Sequence, residues 1–264
     1  MLKMRNISKT FNPGTINEKK IFSGLNLDIN DGDFITVIGG NGAGKSTLLN
    51  LIAGVHKPDA GRIVLNGEDL TYLTEVQRAK HIGRVFQDPM MGTAPTMMVE
   101  ENLAMAYRRT KKRGLKWGIS NTEREFYKTE LAKLKLGLEE RMKTKVGTLS
   151  GGQRQALTLL MATLQKPELL LLDEHTAALD PGTSAKVLGL TQEVIAEHKI
   201  TTLMVTHNMQ NAIDYGNRLI MMDSGKIVLD ISGDEKKSLT ITDLLQRFEV
   251  ASGEAFTNDA AILG

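Results

Sequence analysis

The stretch Gly39-Gly40-Asn41-Gly42-Ala43-Gly44-Lys45-Ser46 gathers residue types suited to holding phosphate. Glycines let the backbone curl until successive N–H groups point inward at anionic oxygens. A helix starting near Lys45 would aim the positive end of its dipole at the same anion. The Lys45 ammonium then suits the β- and γ-phosphates of a nucleoside triphosphate, and the Ser46 hydroxyl suits magnesium. A glycine-rich turn before an ordinary helix is the plain alternative. The apolar strand before the motif and the apolar helix after it argue against that alternative. Contacts to the nucleotide are therefore expected from Gly39, Gly40, Asn41, Gly42, Ala43, Gly44, Lys45, Ser46 and Thr47.

A second constellation is Leu169-Leu170-Leu171-Leu172-Asp173-Glu174, an apolar strand delivering two acids at its C-terminal end, where open α/β sheets bind ligands. Asp173 is placed to hold the magnesium shell, and Glu174 to take the proton from an attacking water. A positioned general base contributes about 10²–10⁴-fold. A third is Ser150-Gly151-Gly152-Gln153, an S-x-x-Q capping box that starts a helix with glycine amides at its positive end. That terminus is a second candidate anion site.

The elements that position these groups follow from the pattern. Residues 22–29 and 34–38 read as strands broken by Asn30-Asp31-Gly32-Asp33, the second a continuous β-branched run suited to a parallel strand covered on both faces. A helix is predicted from Lys45 to about Gly54, then a strand over 62–65 with Asn66-Gly67 as a turn. Residues from about 89 to 165 are rich in helix formers, with helical apolar spacing at Phe126, Tyr127, Leu131, Leu134 and Leu138, and read as a helical insertion. Strands at 169–172 and 201–205 alternating with helices predict a parallel sheet with crossovers. Residues 218–229 read as a terminal hairpin turning at Ser224-Gly225. The expected fold is α/β: a P-loop NTPase (RecA-like) core with an inserted α-helical subdomain and a small N-terminal antiparallel β subdomain. Residues 1–250 are expected to form one domain and 251–264 a tail.

With the motifs in this order, the chain resembles the nucleotide-binding domains of ABC ATPases over about residues 1–231. Leu149-Ser150-Gly151-Gly152-Gln153 is similar to that family's signature motif. The resemblance implies a head-to-tail dimer, in which Ser150, Gly151, Gly152 and Gln153 of one subunit cover the ATP held by the phosphate loop of the other. Gln87 matches the Q-loop glutamine, expected to sense magnesium and the attacking water. His207 resembles the switch histidine that contacts the γ-phosphate, and Ala178-Leu179-Asp180 resembles the D-loop. Asp180-Pro181 also reads as an N-cap followed by the first helical residue. Phe11 matches the aromatic that stacks on adenine; a buried core phenylalanine is the rival reading. His175 stands where many relatives have proline, and a structural role is expected for it. Glu174, His207, Gln87 and Lys45 are thus the catalytic candidates, and Ser46, Gln87 and Asp173 the magnesium candidates, with ATP and Mg²⁺ as the implied ligands.

The same resemblance implies partners: a second copy or a paralogous ATPase subunit, integral membrane permease subunits, and an extracytoplasmic solute-binding protein acting through the permease. It implies a peripheral position at the cytoplasmic face of the cell membrane. The run from Asp173 to Pro181, with Thr206-His207-Asn208-Met209, is similar to a subgroup found beside ribose-type permeases, some of whose members serve aromatic amino acid uptake. Import of an amino acid or similar small solute is the expectation. A soluble ABC ATPase of DNA repair or iron–sulfur assembly is the alternative, and a non-catalytic nucleotide sensor a third class. The sequence lacks the long coiled coil, the second ATPase half and the zinc-binding cysteines of those soluble relatives, and both Glu174 and His207 speak against a sensor.

Composition bounds the rest. With 33 basic and 31 acidic residues the net charge is +2, so bulk electrostatics gives no reason to expect a nucleic-acid partner. The absence of cysteine excludes disulfides and thiolate metal sites. No apolar run approaches the ~20 residues of a membrane-spanning helix, and no secretion signal is visible at the N-terminus. Six positive charges lie between Arg108 and Trp117. A solvated loop, attraction to anionic lipid and, more weakly, nucleic acid are the readings left open for them.

Overall fold

The computed structural model describes residues 1–109 and 118–252. In chain order the elements begin with β1 (Leu2–Phe11), β2 (Lys19–Ile29), β3 (Phe34–Gly39), α1 (Lys45–Ala53), β4 (Ala60–Leu65), β5 (Glu68–Asp69) and α2 (Glu75–Arg78). They continue through β6 (Ile82–Val85), α3 (Val99–Tyr107), α4 (Asn121–Lys133), α5 (Gly151–Thr163), β7 (Leu169–Asp173) and α6 (Pro181–His198). The last are β8 (Thr201–Val205), α7 (Met209–Asp214), β9 (Arg218–Asp223), β10 (Lys226–Ser232), α8 (Gly233–Lys237) and α9 (Ile241–Ser252). Two compact units emerge: Met1–Ala79 with the chain from Thr201 onward, and Lys80–Ile200.

The first unit holds two sheets. One is antiparallel, in the order β2-β1-β4-β5. Along β1, Leu2 and Met4 alternate inward with exposed Lys3 and Arg5, the period of two expected of a half-covered strand. In the other, β3 pairs in parallel with both β8 and β9, and β10 adds an antiparallel edge to β9. Every residue of β3 and β8 is buried, in keeping with runs made of apolar and β-branched residues. The terminal hairpin turns at Ser224-Gly225 as expected, although β10 runs on to Ser232. Beyond it, α8 and α9 were not signalled by the pattern read above; Leu239, Leu244 and Phe248 bury themselves beside Met209, Ala212 and Leu219.

Helix α1 is bounded by two left-handed glycines, Gly44 (φ 103°) and Gly54 (φ 87°). Its C-terminal carbonyls are met by a buried cation. The Arg78 guanidinium donates to Leu51 O (2.6 Å), Ile52 O (2.8 Å), Thr71 O (3.1 Å) and Leu73 O (3.1 Å). Burial pushes its pKa down to about 10, and a cation at this pole complements the helix dipole.

The second unit contains the parallel pair β6–β7, in register from Ile82↔Leu169 to Val85↔Leu172, and a helical core. Tyr127, Leu131, Leu134 and Leu138 are all buried there, beside Val99, Leu103, Leu149 and Leu157, while Phe126 packs against them half-buried. The helical spacing is thus real, but α4 ends at Lys133 and does not reach Leu138. Lys135 adopts φ 55°, and Leu138 opens a separate 3-10 turn at Leu138–Glu140. Residues 110–117 of the basic run and 253–264 of the expected tail lie outside the described residues. Arg108, at the start of that run, is described: it forms an ion pair with Glu123 at 2.9 Å. Among the described residues no helix is long and apolar enough to cross a membrane.

Candidate functional site

In the first unit the phosphate loop leaves the C-terminal end of β3 and enters α1. Its glycines answer two separate demands. At Gly44 the backbone is left-handed and a Cβ would lie 2.8 Å from the Phe22 ring; at Gly39 a Cβ would lie 2.2 Å from Met222 O of β9. The β9–β10 turn supports the loop from below, since Gly225 N donates to Ala43 O at 3.1 Å. The Lys45 side chain is buried and its ammonium donates to Gly39 O (2.6 Å) and Gly40 O (3.1 Å), which fixes the cation at the inner rim of the loop. Asn41, Gly42 and Ser46 are exposed and Thr47 is half-buried, so the mouth of the loop and the first turn of α1 face outward.

His207 follows β8, and the path that places it is short. Thr206 N donates to Val37 O of β3 at 3.1 Å, extending the parallel ladder by one step beyond Val205. His207 therefore leaves the same end of the sheet as the phosphate loop, one strand away. Asn208 then caps α7, accepting from Asn211 N at 2.8 Å. Phe11 is half-buried rather than a core residue; its ring meets His56 edge-on at 5.1 Å between centroids. The cross-strand partner of Phe11 in the β1–β2 ladder is Lys19, and directly opposed residues share a face of the sheet. The Lys19 ammonium lies 3.8 Å from the position a Cβ on Gly42 would take. Sequence reading did not single out Lys19, because only the ladder register puts it between the aromatic ring and the phosphate loop.

In the second unit, Gln87 and Asp173 stand in the same relation. β6 and β7 are adjacent parallel strands; Asp173 ends β7 and Gln87 lies exposed two residues past the end of β6. Asp173 accepts from Arg84 Nη2 of β6 at 3.1 Å, with both side chains largely buried. The Arg84 guanidinium also lies over the Phe86 ring, 4.6 Å from its centroid. The one sequence signal for Arg84 is a charged residue inside an otherwise apolar strand. Glu174 is half-buried with a left-handed backbone (φ 46°), and its carbonyl accepts from Ala177 N at 2.9 Å. His175 is buried against α6, where burial pushes its pKa down to about 4.

The capping box is present as expected. Ser150 Oγ accepts from Gln153 N, and Gln153 Oε1 accepts from Ser150 N, each at 3.3 Å. Gln153 is further held by Arg141 Nη1 (3.0 Å) and by donation to Leu136 O (3.1 Å). Ser150 and Gly151 are exposed, so the positive end of the 13-residue helix α5 is open. Gly152 has a second duty not apparent from the motif: a Cβ there would lie 2.2 Å from Thr183 Cγ2, so its bareness lets α6 pack against α5. Asp180 caps α6 as expected, accepting from Thr183 N at 3.0 Å, with Pro181 first in the helix.

Among the described residues, no group of three or more His, Asp or Glu is gathered to hold a metal. Each unit by itself offers oxygen donors of the kind magnesium takes in small number beside phosphate and water: the Ser46 hydroxyl in the first, the Asp173 carboxylate and the Gln87 amide in the second.

The chain is similar to known proteins of one family. The ABC transporter family pattern matches residues 22–177. The chain is 47% identical over 252 residues to the tyrosine transport ATP-binding protein of Clostridioides difficile (strain R20291), covering 95% of this chain and all of that protein. It is 31% identical to the spermidine/putrescine import ATP-binding protein PotA of Pasteurella multocida (strain Pm70), covering 97% of this chain but only 66% of that relative's length. It is similar in structure to the ATP-binding cassette MJ0796, solved as a dimer in a post-hydrolysis state with ADP and Pi, at a TM-score of 0.75 and 29% identity over 88% of this chain and 98% of the other. The fold is the α/β cassette of these proteins. The chain belongs to the ABC transporter family, as one of its ATP-binding, ATP-hydrolysing subunits.

Proposed function

We propose that residues 1–250 act as one nucleotide-binding domain that closes head-to-tail with a second copy, or a paralogous subunit, around Mg-ATP. The observation that carries this reading is the open N-terminus of α5, capped by Ser150 and Gln153 yet exposed at Ser150 and Gly151. A helix terminus with free amides needs an anion or water, and the partner's γ-phosphate answers that need. The phosphate loop from Gly39 to Thr47 binds the triphosphate, Lys45 neutralises its β- and γ-oxygens, and Phe11 stacks on the base. Ser46, Asp173 and Gln87 would hold magnesium, which supplies charge neutralisation on the triphosphate when bound. Glu174 takes a proton from the attacking water, and His207 contacts the γ-phosphate to hold it in line.

Closing and reopening of this pair drives substrate through an integral membrane permease, with the chain peripheral at the cytoplasmic face. We read the system as an importer of an amino acid or similar small solute, served by an extracytoplasmic solute-binding protein and without a nucleic-acid partner. The likeness to the tyrosine transport protein supports this, since it extends over the whole of that relative. Affinity purification of the tagged chain from mildly solubilised membranes tests it. Recovery of a polytopic membrane protein is expected; recovery of cytosolic partners alone would overturn transport while leaving the ATPase chemistry intact.

A further inference from the structure

Glu174 sits in a backbone conformation that a side-chain-bearing residue adopts at a cost. Its φ of 46° is left-handed, a region in which the Cβ crowds the following carbonyl oxygen. Such a conformation persists only where neighbouring groups hold it. The next residue offers the anchor. His175 is 2% exposed, and its Nε2 lies 3.1 Å from Thr191 Oγ1, in the middle of α6. Thr191 is itself 1% exposed and spends its only hydroxyl proton on Val187 O, 2.8 Å away. Its oxygen must therefore accept, and His175 must donate through Nε2–H, which defines the tautomer. Helix α6 is in turn fixed at its start by the Asp180 cap and by the contact of Thr183 with Gly152.

We propose that His175 is a positioning residue for Glu174, tying the turn that carries the general base to α6 through its hydrogen bond to Thr191. The inference rests on the reading of Glu174 as base. The side chain of His175 is buried against α6 instead of open to solvent, so its influence on the reaction passes through the turn. Losing the bond frees the turn to relax from its left-handed conformation and moves the carboxylate. A displacement of about 1 Å in a reacting group can cost on the order of 10²-fold. The loss cannot exceed the ~10²–10⁴-fold that a positioned base supplies.

The test is steady-state ATP hydrolysis and equilibrium ATP binding by the full chain in four variants. His175→Leu and Thr191→Val remove the donor and the acceptor. His175→Gln keeps an N–H near the Nε2 position, and Thr191→Ser keeps the hydroxyl. We expect kcat to fall about ten- to hundredfold in the first two, with KM and ATP affinity within about twofold of wild type and most of kcat recovered in the conservative pair. If His175→Leu does not fold, Thr191→Val carries the test alone, since it exchanges a hydroxyl for a methyl. Wild-type kcat in Thr191→Val, a parallel loss of ATP affinity, or no recovery in Thr191→Ser would each overturn the role. Glu174→Gln, run beside them, separates the two claims. Turnover retained there overturns the base itself, whereas turnover lost there with Thr191→Val unaffected overturns only the positioning.

Discussion

Arg84 Nη2 lies 3.1 Å from Asp173 Oδ2, joining neighbouring parallel strands at the point where the acidic pair begins. Both side chains are largely buried, so each charge offsets part of the other's desolvation cost. Removing one partner of such a buried pair costs on the order of 3 kcal/mol; removing both costs less. Arg84→Met should lower the stability of the nucleotide-free protein by that order, and Arg84→Met with Asp173→Asn should restore a good part of it. Urea denaturation of the two variants checks this. Equal destabilisation by the single and double changes would show that the pair carries no compensation.

Gly152 meets Thr183 so closely that no side chain fits between α5 and α6. Gly152→Ala should cost about 1–3 kcal/mol through forced displacement. Adding Thr183→Ala removes the Cγ2 that causes the clash and should recover most of that loss. Thermal unfolding of the single and double variants decides it, and an additive rather than compensating pair would refute the packing argument.

Lys19 should be felt by the nucleotide. Lys19→Glu reverses charge beside Gly42 and is expected to weaken ATP binding several-fold, the effect shrinking as salt rises because the ammonium is exposed. Fluorescent-nucleotide titration at low and high ionic strength reads both quantities. An affinity indifferent to the reversal would remove Lys19 from the site.

Lys236 donates to the carbonyls of Ile213, Tyr215 and Gly216 at the end of α7, the helix that follows His207. Burial pushes its pKa down from 10.5 to about 8. Between those values the unfolded chain holds a proton that the folded chain has lost, so this group makes stability rise with pH across that window. Below about pH 8 both states are protonated and its contribution is flat. Denaturation of wild type and Lys236→Met across this range should show a difference that shifts in favour of wild type with increasing pH, by on the order of 1–3 kcal/mol. A pH-independent difference would mean the amine is not perturbed.

What could be read from the chain alone divides along physical lines. The Ser150–Gln153 box, the Asp180-Pro181 start and the Gly44 and Gly54 bounds of α1 are local: each needs a few consecutive residues, and each is present. The apolar spacing from Phe126 to Leu138 identified a buried face but not the left-handed Lys135 that ends α4, because lysine gives no conformational signal there. Arg78, Lys236, Arg84 and Lys19 are not legible in the sequence for a different reason. Their partners are carbonyls, a carboxylate and a loop brought up by sheet register or helix packing, and no spacing in the sequence encodes those meetings. Gly152 was read for its amide, and its second requirement came from Thr183, thirty-one positions on.

The central claim is that Glu174 is the base of an ATPase that works as a dimer. Glu174→Gln, examined by analytical ultracentrifugation with and without Mg-ATP alongside phosphate release, tests it most directly. A stable dimer with ATP bound, a monomer without it, and turnover reduced by at least about 10²-fold are expected. Turnover near the wild-type rate, or a monomer at every nucleotide concentration, would contradict it.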